Sequence, residues 1–292
     1  MASLFRLIVC CFIFANSACT AQENRSERLS DLVHYQYLIE TNTKFDLTIE
    51  TFKIRYNSDG YEITGYINKP KAEGTWPVTI YNRGGNRDYG THRNFLYQQY
   101  LASNGYVVLS TQLRGNLFSE GQDQFGGEDL NDILKLIEIA HDLSCTKDQK
   151  IGVYGISRGG LNAYQISRLT NDISAVVVVG APVDPRIDFQ FRPEMYFKVL
   201  KPLVGDTVTH KEAYDYRSPI LWADEINEPV LILHGDDDDK VRLINAQLMI
   251  NKLTELNKDF EFEIVGGGDH GLNTHREIRN KKVLGWFDRH LK

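Results

Sequence analysis

Six short apolar runs recur along the sequence, and helix-like segments separate most of them. The runs are PVTIY, YVVLST, KIGVYG, ISAVVVVG, PVLILH and FEFEIVG. Strands that are apolar along their whole length and alternate with helices are typical of a mostly parallel sheet covered by helices on both faces. The pattern therefore predicts an α/β fold, with helices over residues 91–103, 128–141, 158–169, 242–256 and 276–291.

Ahead of these runs, two segments alternate apolar and polar residues around the turn sequence NSDG. FDLTIETFKIRY and YEITGYINKP flank that turn, which predicts a β-hairpin at an antiparallel edge of the sheet. Residues 22–44 are polar and lack a clear period, apart from a short helix suggested around ERLSDLVHYQYLI. We interpret them as a tether, and residues 45–292 as one folded domain.

The N-terminus has the pattern of a signal peptide over residues 1–21. Arg6 precedes an apolar run that is too short for a permanent membrane span, and small residues follow it. Cleavage before Cys19 would leave a cysteine for lipidation, whereas cleavage before Gln22 would release a free chain. Both alternatives stay open, and either predicts an exported protein that is periplasmic, at the cell surface or lipid-anchored.

Charge and cysteine content limit the partners that the chain can have. The 292 residues carry a net charge of −6 spread along the sequence, with no basic patch of the kind that binds nucleic acid. Only Cys145 lies outside the signal region, so we expect no intrachain disulfide. The four consecutive aspartates that begin at Asp236 lack the glycine of a calcium loop, and we expect neither a metal nor a cofactor.

The stretch IGVYGISRGG places Ser157 between a predicted strand and a predicted helix. A serine at such a junction can occupy a sharp, strained turn that presents its hydroxyl at the edge of the sheet. Gly155 and Gly159, two residues to either side, leave the room that the turn needs. The pattern GxSxG also arises by chance, but this setting favours a nucleophile over an ordinary turn.

A serine nucleophile needs a base, and the base needs an orienting acid. His270 follows the last predicted strand in FEFEIVGGGDHGL, and the acidic loop of PVLILHGDDDDKV follows the strand before it. Asp238 is our first choice for the acid and Asp239 the second. The remaining aspartates are interpreted as a helix cap or a solvated loop. The rival bases are interpreted as packed or surface histidines: His234, His275 and His290.

Two groups of backbone N–H donors are candidates for binding an oxyanion. One is the amide of Arg158, directly after the serine, and the other lies in the loop NRGGNRDYG, where Gly84 and Gly85 allow a close approach. An ordinary tight turn is the alternative for these glycines. The segment GNLFSEGQDQFGGED is expected to line the same cleft.

One connection, over residues 181–228, is too long for a plain crossover and is rich in proline, arginine and aromatic residues. We expect two or more helices that form a lid over the carboxyl ends of the strands, where open α/β sheets bind their ligands. Arg186, Arg192 and the aromatic residues could contact substrate, or they could simply pack the lid onto the sheet.

Taken together, these motifs resemble the α/β-hydrolase superfamily, and within it the catalytic domain of the prolyl oligopeptidase family of serine peptidases. The similar stretches cover about residues 50–290: YNSDGYEITGYINKP, YNRGGN, LRGNLFSEG, GISRGG, RSPI, PVLILHGDDDDKV and GGGDHGL. The resemblance implies Ser157 as nucleophile, Asp238 as acid and His270 as base. It also implies hydrolysis of a peptide or ester through an acyl-enzyme without a cofactor.

The resemblance has two departures. The 292 residues leave no room for the N-terminal β-propeller of the larger members, and YNRGGN lacks the family's HGG or tyrosine variants in the oxyanion loop. The expected function is cleavage of peptide or peptide-like amide bonds. A carboxylesterase acting on small acyl esters is the alternative, followed by an inactive binding module.

Overall fold

The computed structural model describes residues 29–292, so the predicted signal peptide, Cys19 and the first part of the predicted tether lie outside the described residues. The strands are β1 (Val33–Ile39), β2 (Ile49–Ser58), β3 (Tyr61–Pro70), β4 (Val78–Asn82), β5 (Val107–Thr111), β6 (Ile151–Ile156), β7 (Ile173–Val179), β8 (Val230–Gly235) and β9 (Phe260–Val265). They form a single nine-stranded sheet in the order β1-β2-β3-β5-β4-β6-β7-β8-β9.

Helices follow most of the parallel strands. They are α1 (Leu96–Ser103), α2 (Asn131–Asp142), α3 (Arg158–Leu169), α4 (Pro193–Met195), α5 (Lys201–Val204), α6 (Lys211–Tyr216), α7 (Ile244–Glu255) and α8 (Arg276–Leu291). A π-helical turn, Tyr196–Leu200, joins α4 to α5. Short 3₁₀ helices span Lys44–Leu47, Glu128–Leu130, Ser144–Thr146, Pro219–Leu221 and Ala223–Glu225.

The predicted α/β architecture is confirmed. Strands β4 to β9 pair in parallel, and β1, β2, β3 and β5 pair antiparallel along the sheet. Alternate residues of one strand point to opposite faces, so β7 supplies Val176 and Val178 to the core under α2, α3 and α7. Val177 and Val179 enter the second core, under α1 and α8. Burial on both faces explains the continuous apolar runs in the sequence.

The predicted hairpin is present as β2 and β3, which pair along ten residues each around the turn at Asp59 and Gly60. The interpretation of residues 22–44 as a tether with a short helix is wrong for Val33–Ile39, which form β1 against β2. Valine, tyrosine and isoleucine favour an extended backbone. Val33 alone is buried along β1, so the strand lacked the alternating apolar signal that prediction needs.

The connection between β7 and β8 contains α4 to α6, which agrees with the two or more helices predicted for residues 181–228. Side chains of this segment form a small core of their own with two residues from outside it; its buried members are Phe125, Leu161, Leu200, Val204 and Tyr214. This packing holds the segment over the carboxyl ends of the strands. Within residues 29–292, no helix combines the length and hydropathy that a membrane span requires.

Candidate active site

Ser157 occupies the turn between β6 and α3. Its backbone has φ 56° and ψ −126°, a conformation that residues with a side chain rarely adopt. Its amide donates to the carbonyl of Val179 at 2.9 Å, and its own carbonyl accepts from the amide of Gly160 at 2.8 Å. These bonds on both sides hold the turn in place and leave the hydroxyl at the carboxyl edge of the sheet.

Glycine is needed on both sides of Ser157 because a Cβ at either position would collide with the backbone, and not because the turn needs conformational freedom there. A Cβ on Gly155 would lie 1.9 Å from the carbonyl oxygen of Gly159, and a Cβ on Gly159 would lie 2.1 Å from that of Asn82. No side chain fits at such distances. The spacing seen in the sequence is therefore the steric condition for this turn.

Asp238 and His270 are in direct contact. The Nδ1 atom of His270 lies 2.8 and 3.0 Å from the two carboxylate oxygens of Asp238, whose side chain is fully buried. A carboxylate only accepts, so Nδ1 carries the proton and donates it, which leaves Nε2 as an acceptor. The amides of Lys240 and Val241 donate to the carboxylate at 2.9 Å each and fix its orientation.

The neighbouring aspartates have other partners. The carboxylate of Asp239 is exposed and pairs with the ammonium of Lys240 at 2.8 Å, and Asp236 accepts from the amide of Gly267. Of the two candidate acids, Asp238 is thus the one that contacts His270. Its position follows from the turn after β8, which directs this side chain inward and the next one to solvent.

Of the rival histidines, His234 lies nearest to the site, with its Nε2 3.4 Å from a carboxylate oxygen of Asp238. His234 is buried at the end of β8, its Nε2 donates to the carbonyl of Val241 at 2.8 Å, and burial lowers its pKa. This bond closes the loop whose amide at Val241 orients Asp238. His275 and His290 lie at the two ends of α8 and are half-buried, and the ring of His290 packs against Trp286.

The predicted oxyanion loop lies against the serine. A Cβ on Gly84 would be 3.2 Å from the Cβ of Ser157, and Gly85 has φ 75°. The buried guanidinium of Arg83 donates to four carbonyl oxygens around this loop: those of Gly84, Arg87, Tyr89 and Gln112. Burial and the nearby charge of Arg158 lower the pKa of Arg83 to about 10. The hydrogen bonds of Arg83 therefore hold the loop in its conformation.

The side chain of Arg158 forms a buried ionic network behind the serine. Its guanidinium pairs with Asp123 at 2.8 Å and with Asp129 at 2.5 Å, and all three side chains are at most 2% exposed. The same guanidinium donates to the carbonyl of Gly85 at 3.3 Å, and Asp123 also accepts from the amide of Arg87 at 2.6 Å. The network thus joins the serine turn to the oxyanion loop.

Burial alone would raise the pKa of Asp123. The charge and hydrogen bonds of Arg158, with the amides of Arg87 and Phe125, outweigh that effect and lower the pKa to about 2. The sequence prediction used only the backbone of Arg158 and missed these two aspartates. Their signal was present in the glycine-rich segment GNLFSEGQDQFGGED, which places both carboxylates just after the β5 loop.

Ser157, His270, Gly84, Gly85 and Arg158 all line one cavity of about 1070 Å³. One wall of the cavity is apolar; we call it the lid wall, and it consists of Phe125, Phe189, Met195, Val199 and Leu200. The predicted placement of the glycine-rich segment beside this cleft agrees with Phe125. The cavity is large enough for a small peptide or an acyl ester.

Two arginines connect the lid segment to the loops around the cavity. Arg87 of the oxyanion loop donates from Nη1 to the carbonyl of Lys198 at 3.2 Å. Arg192 of the lid donates from Nη1 to the carbonyl of Lys240 at 2.9 Å, beside the acid loop. The lid is thereby attached on both sides of the cleft. In the described part of the chain, no group of three or more histidine, cysteine, aspartate or glutamate side chains could hold a metal ion.

The mostly parallel sheet with helices on both faces and the serine at a strand-to-helix turn define an α/β-hydrolase. The sequence profile of the prolyl oligopeptidase family matches residues 92–292. The chain belongs to the prolyl oligopeptidase family, and this membership makes it a serine hydrolase.

Similar proteins include peptidases and esterases. The uncharacterized peptidase YtmA of Bacillus subtilis is 28% identical over 215 residues, which are 73% of this chain and 83% of YtmA. The acylaminoacyl peptidase of Pyrococcus horikoshii has a TM-score of 0.75 at 25% identity, over 84% of this chain and 42% of that one. An esterase of Pyrococcus furiosus has a TM-score of 0.69 at 18% identity, over 87% of this chain and 96% of that one, which shows the shared fold. The chain thus spans less than half of the larger peptidase.

Proposed function

We propose that this chain cleaves peptide or peptide-like amide bonds with Ser157 as nucleophile, His270 as general base and Asp238 as the orienting acid. The observation that carries the proposal is the 2.8 Å contact between His270 Nδ1 and Asp238, in a cavity that Ser157 also lines. With Nδ1 protonated, Nε2 can take the proton of the serine hydroxyl during attack.

The oxyanion of the tetrahedral intermediate would be bound by backbone amides. The amide of Arg158 follows the nucleophile, and the Gly84–Gly85 segment lies against Ser157. The carbonyls of these two glycines accept from the guanidinium groups of Arg83 and Arg158, respectively. Because both carbonyls are held by buried cations, the loop cannot easily turn its oxygens toward a developing negative charge.

The reaction would proceed in two steps. Ser157 Oγ attacks the carbonyl carbon while His270 accepts the hydroxyl proton, and the same imidazolium then protonates the leaving amine or alkoxide as the bond to it breaks. Water, deprotonated by His270, next attacks the acyl-enzyme and releases the acid and the free serine.

Labelling with a fluorophosphonate tests the nucleophile. We expect stoichiometric modification of the wild-type protein at Ser157 and none in Ser157→Ala, as peptide mapping by mass spectrometry would report. If the wild-type protein stayed unlabelled while folded, the inactive binding module would be the better description.

An esterase is the second candidate, and a specific observation favours it. The esterase of Pyrococcus furiosus shares the fold over 96% of its length, whereas the acylaminoacyl peptidase has a further part that this chain does not match. Amide cleavage demands more than ester cleavage, since the leaving amine must be held and protonated, and remote contacts with the substrate supply that help.

A peptide library and a panel of short-chain esters separate the two candidates. We expect cleavage of short peptides, together with rapid hydrolysis of small esters. Ester turnover without any peptide cleavage above the Ser157→Ala background would assign the chain to the esterases.

We also propose that the chain is exported, with a lipid anchor at Cys19 or a free N-terminus near Gln22. The apolar run after Arg6 and the small residues behind it support the proposal. Mass spectrometry of the native N-terminus tests it, and a mature protein that retains Met1 would contradict it.

A further inference from the structure

Two cations that line the catalytic cavity have no carboxylate partner in the part of the chain that the structure describes. They are Arg93, in the loop before α1, and Lys198, in the π-helical turn of the lid. Among the described residues, Arg93 donates only to the hydroxyl of Thr91, at 3.3 Å. The Lys198 ammonium forms no ion pair within residues 29–292.

A third cation, Arg87, lies next to Lys198. The guanidinium of Arg87 contacts the backbone carbonyl of Lys198 at 3.2 Å, and no carboxylate among the described residues pairs with it. We call Arg87, Arg93 and Lys198 the cationic wall. Arg87 comes from the oxyanion loop, Arg93 from the loop before α1 and Lys198 from the lid. Arg93 and Lys198 line the cavity, and Arg87 lies behind Lys198.

The other charged side chains around the cavity have ionic or hydrogen-bond partners. Lys240 pairs with Asp239, Arg192 pairs with Glu194 at 3.4 Å, and the carboxylate of Asp269 accepts from Thr274. Asp188 accepts from the amide of Arg242 and the side chain of Asn245. Arg83 and Arg158 are buried within their own networks. Arg93 and Lys198 are therefore the lining cations that neither pair with a described carboxylate nor lie in a buried network.

These unpaired cations stand out in a chain whose net charge is −6. Unpaired cations at a partly enclosed cleft attract anions and raise the local concentration of an anionic substrate. Arginine in particular binds carboxylates through two parallel hydrogen bonds. The lid wall offers apolar contacts in the same cavity, so one ligand could satisfy both.

We infer that the catalytic cavity selects substrates with an apolar group for the lid wall and a free carboxylate for the cationic wall, close to the bond to be cleaved. The inference rests on the proposed hydrolytic function. The carboxylate is either the C-terminus of a short peptide on the leaving-group side or an acidic group on the acyl side. Both sources share the same chemistry, and the experiment separates them.

Two pairs of tetrapeptides of alanine, phenylalanine, alanine and glycine test the inference. In the first pair, one N-acetylated peptide ends in a free carboxylate and its partner in an amide. In the second pair, both end in an amide, but one carries an N-succinyl group in place of the acetyl group. We expect kcat/KM to be at least about tenfold higher for the carboxylate-bearing member of one pair, with the preference falling as salt is raised.

Variants assign the preference to the wall. Arg93→Gln and Lys198→Met should each reduce the ratio of kcat/KM between the two members of that pair several-fold. Lys201→Met is the matched control, because Lys201 lies one turn further along the lid, outside the cavity lining, and pairs with Asp206. It should leave the ratio at the wild-type value.

A binding arm keeps the inference testable if turnover fails. Calorimetric titration of Ser157→Ala with the same four peptides should show tighter binding of a carboxylate-bearing peptide without any bond cleavage. Equal affinities and equal kcat/KM within both pairs would overturn the inference. Absence of turnover together with a clear carboxylate preference in binding would overturn the hydrolytic function and leave the anion site standing.

Discussion

The guanidinium of Arg158 and the carboxylate of Asp123 form an ion pair of 2.8 Å that is almost completely excluded from solvent, directly behind the serine turn. Asp123 also accepts a hydrogen bond from the amide of Arg87, so this single carboxylate holds both the residue after Ser157 and the loop proposed to bind the oxyanion. The geometry of the proposed oxyanion site thus depends on a carboxylate that does not line the cavity.

Asp123→Asn should therefore reduce turnover without removing any group that touches the substrate. We expect kcat to fall about 10- to 100-fold, the range for a displacement of reacting groups by about 1 Å, with KM changing less. The pair of Arg114 and Asp132 offers a control, because it is equally buried but outside the cavity lining. Asp132→Asn should lower the melting temperature yet leave kcat of the folded enzyme unchanged, and equal kcat losses in both variants would refute the positioning role.

The Asp123 pair also predicts a specific dependence of stability on pH. The folded-state pKa of about 2 lies below the ordinary value of 3.8, so the pair stabilises the fold above about pH 4, and this contribution is lost as the pH falls toward 2. The difference in unfolding free energy between the wild type and Asp123→Asn should be constant from pH 8 to 5 and narrow by about 1 kcal/mol at pH 3. Urea titrations at these pH values measure this difference in unfolding free energy. A difference that grows toward acidic pH would contradict a lowered pKa for Asp123.

Replacement of Asp238 and Asp239 distinguishes the candidate acids. Asp238→Asn would favour the wrong tautomer of His270 and should reduce kcat by roughly ten-thousand-fold. Asp239→Asn removes an exposed partner of Lys240 and should change kcat less than threefold, by the small energy of surface ion pairs. Steady-state kinetics on one ester substrate measures both, and the opposite ranking would assign the acid to Asp239.

Gly180, directly after β7, leaves space for Asp238 and His270. A Cβ there would lie 3.0 Å from a carboxylate oxygen of Asp238 and 3.3 Å from His270 Nδ1, and the residue has φ 53°. Gly180→Ala should lower stability by about 1–2 kcal/mol through backbone strain and reduce kcat as well. Gly60→Ala is matched in its positive φ but has no atom within 4 Å of the added Cβ, so only its stability should fall. An unaltered kcat in Gly180→Ala would show that the added methyl group does not displace Asp238 or His270.

Sequence reasoning predicted the parts of the fold that carry a strong period. The buried parallel strands and helices α3 and α8 appear where they were expected, because local hydrophobic pattern and burial agree there. It missed β1, since a strand at the edge of the sheet with one buried residue has almost no pattern. Edge strands are held by backbone pairing, which side-chain periodicity does not record.

In the candidate site, too, some residues could be predicted from the sequence and others could not. Ser157, His270 and the acid loop were predicted because each follows a strand whose end is visible in the sequence. The roles of Arg83, Asp123 and Gly180 could not be predicted, because each depends on contacts between segments that are distant along the chain. Arg83, for example, is read locally as a loop residue, and only the fold shows its guanidinium buried among carbonyl groups.

The strained backbone of Ser157 also affects which substitutions evolution can accept at this position. A residue held at φ 56° in this region costs about 1–3 kcal/mol, and glycine would relieve much of it. Ser157→Gly should therefore melt at a higher temperature than the wild type and have no reactivity. Selection for thermal stability alone would therefore remove the proposed nucleophile. If natural variants keep a serine at this position despite its backbone strain, selection must act on the reaction rather than on stability. The melting temperatures of the wild type and Ser157→Gly would measure that strain before any substrate is known.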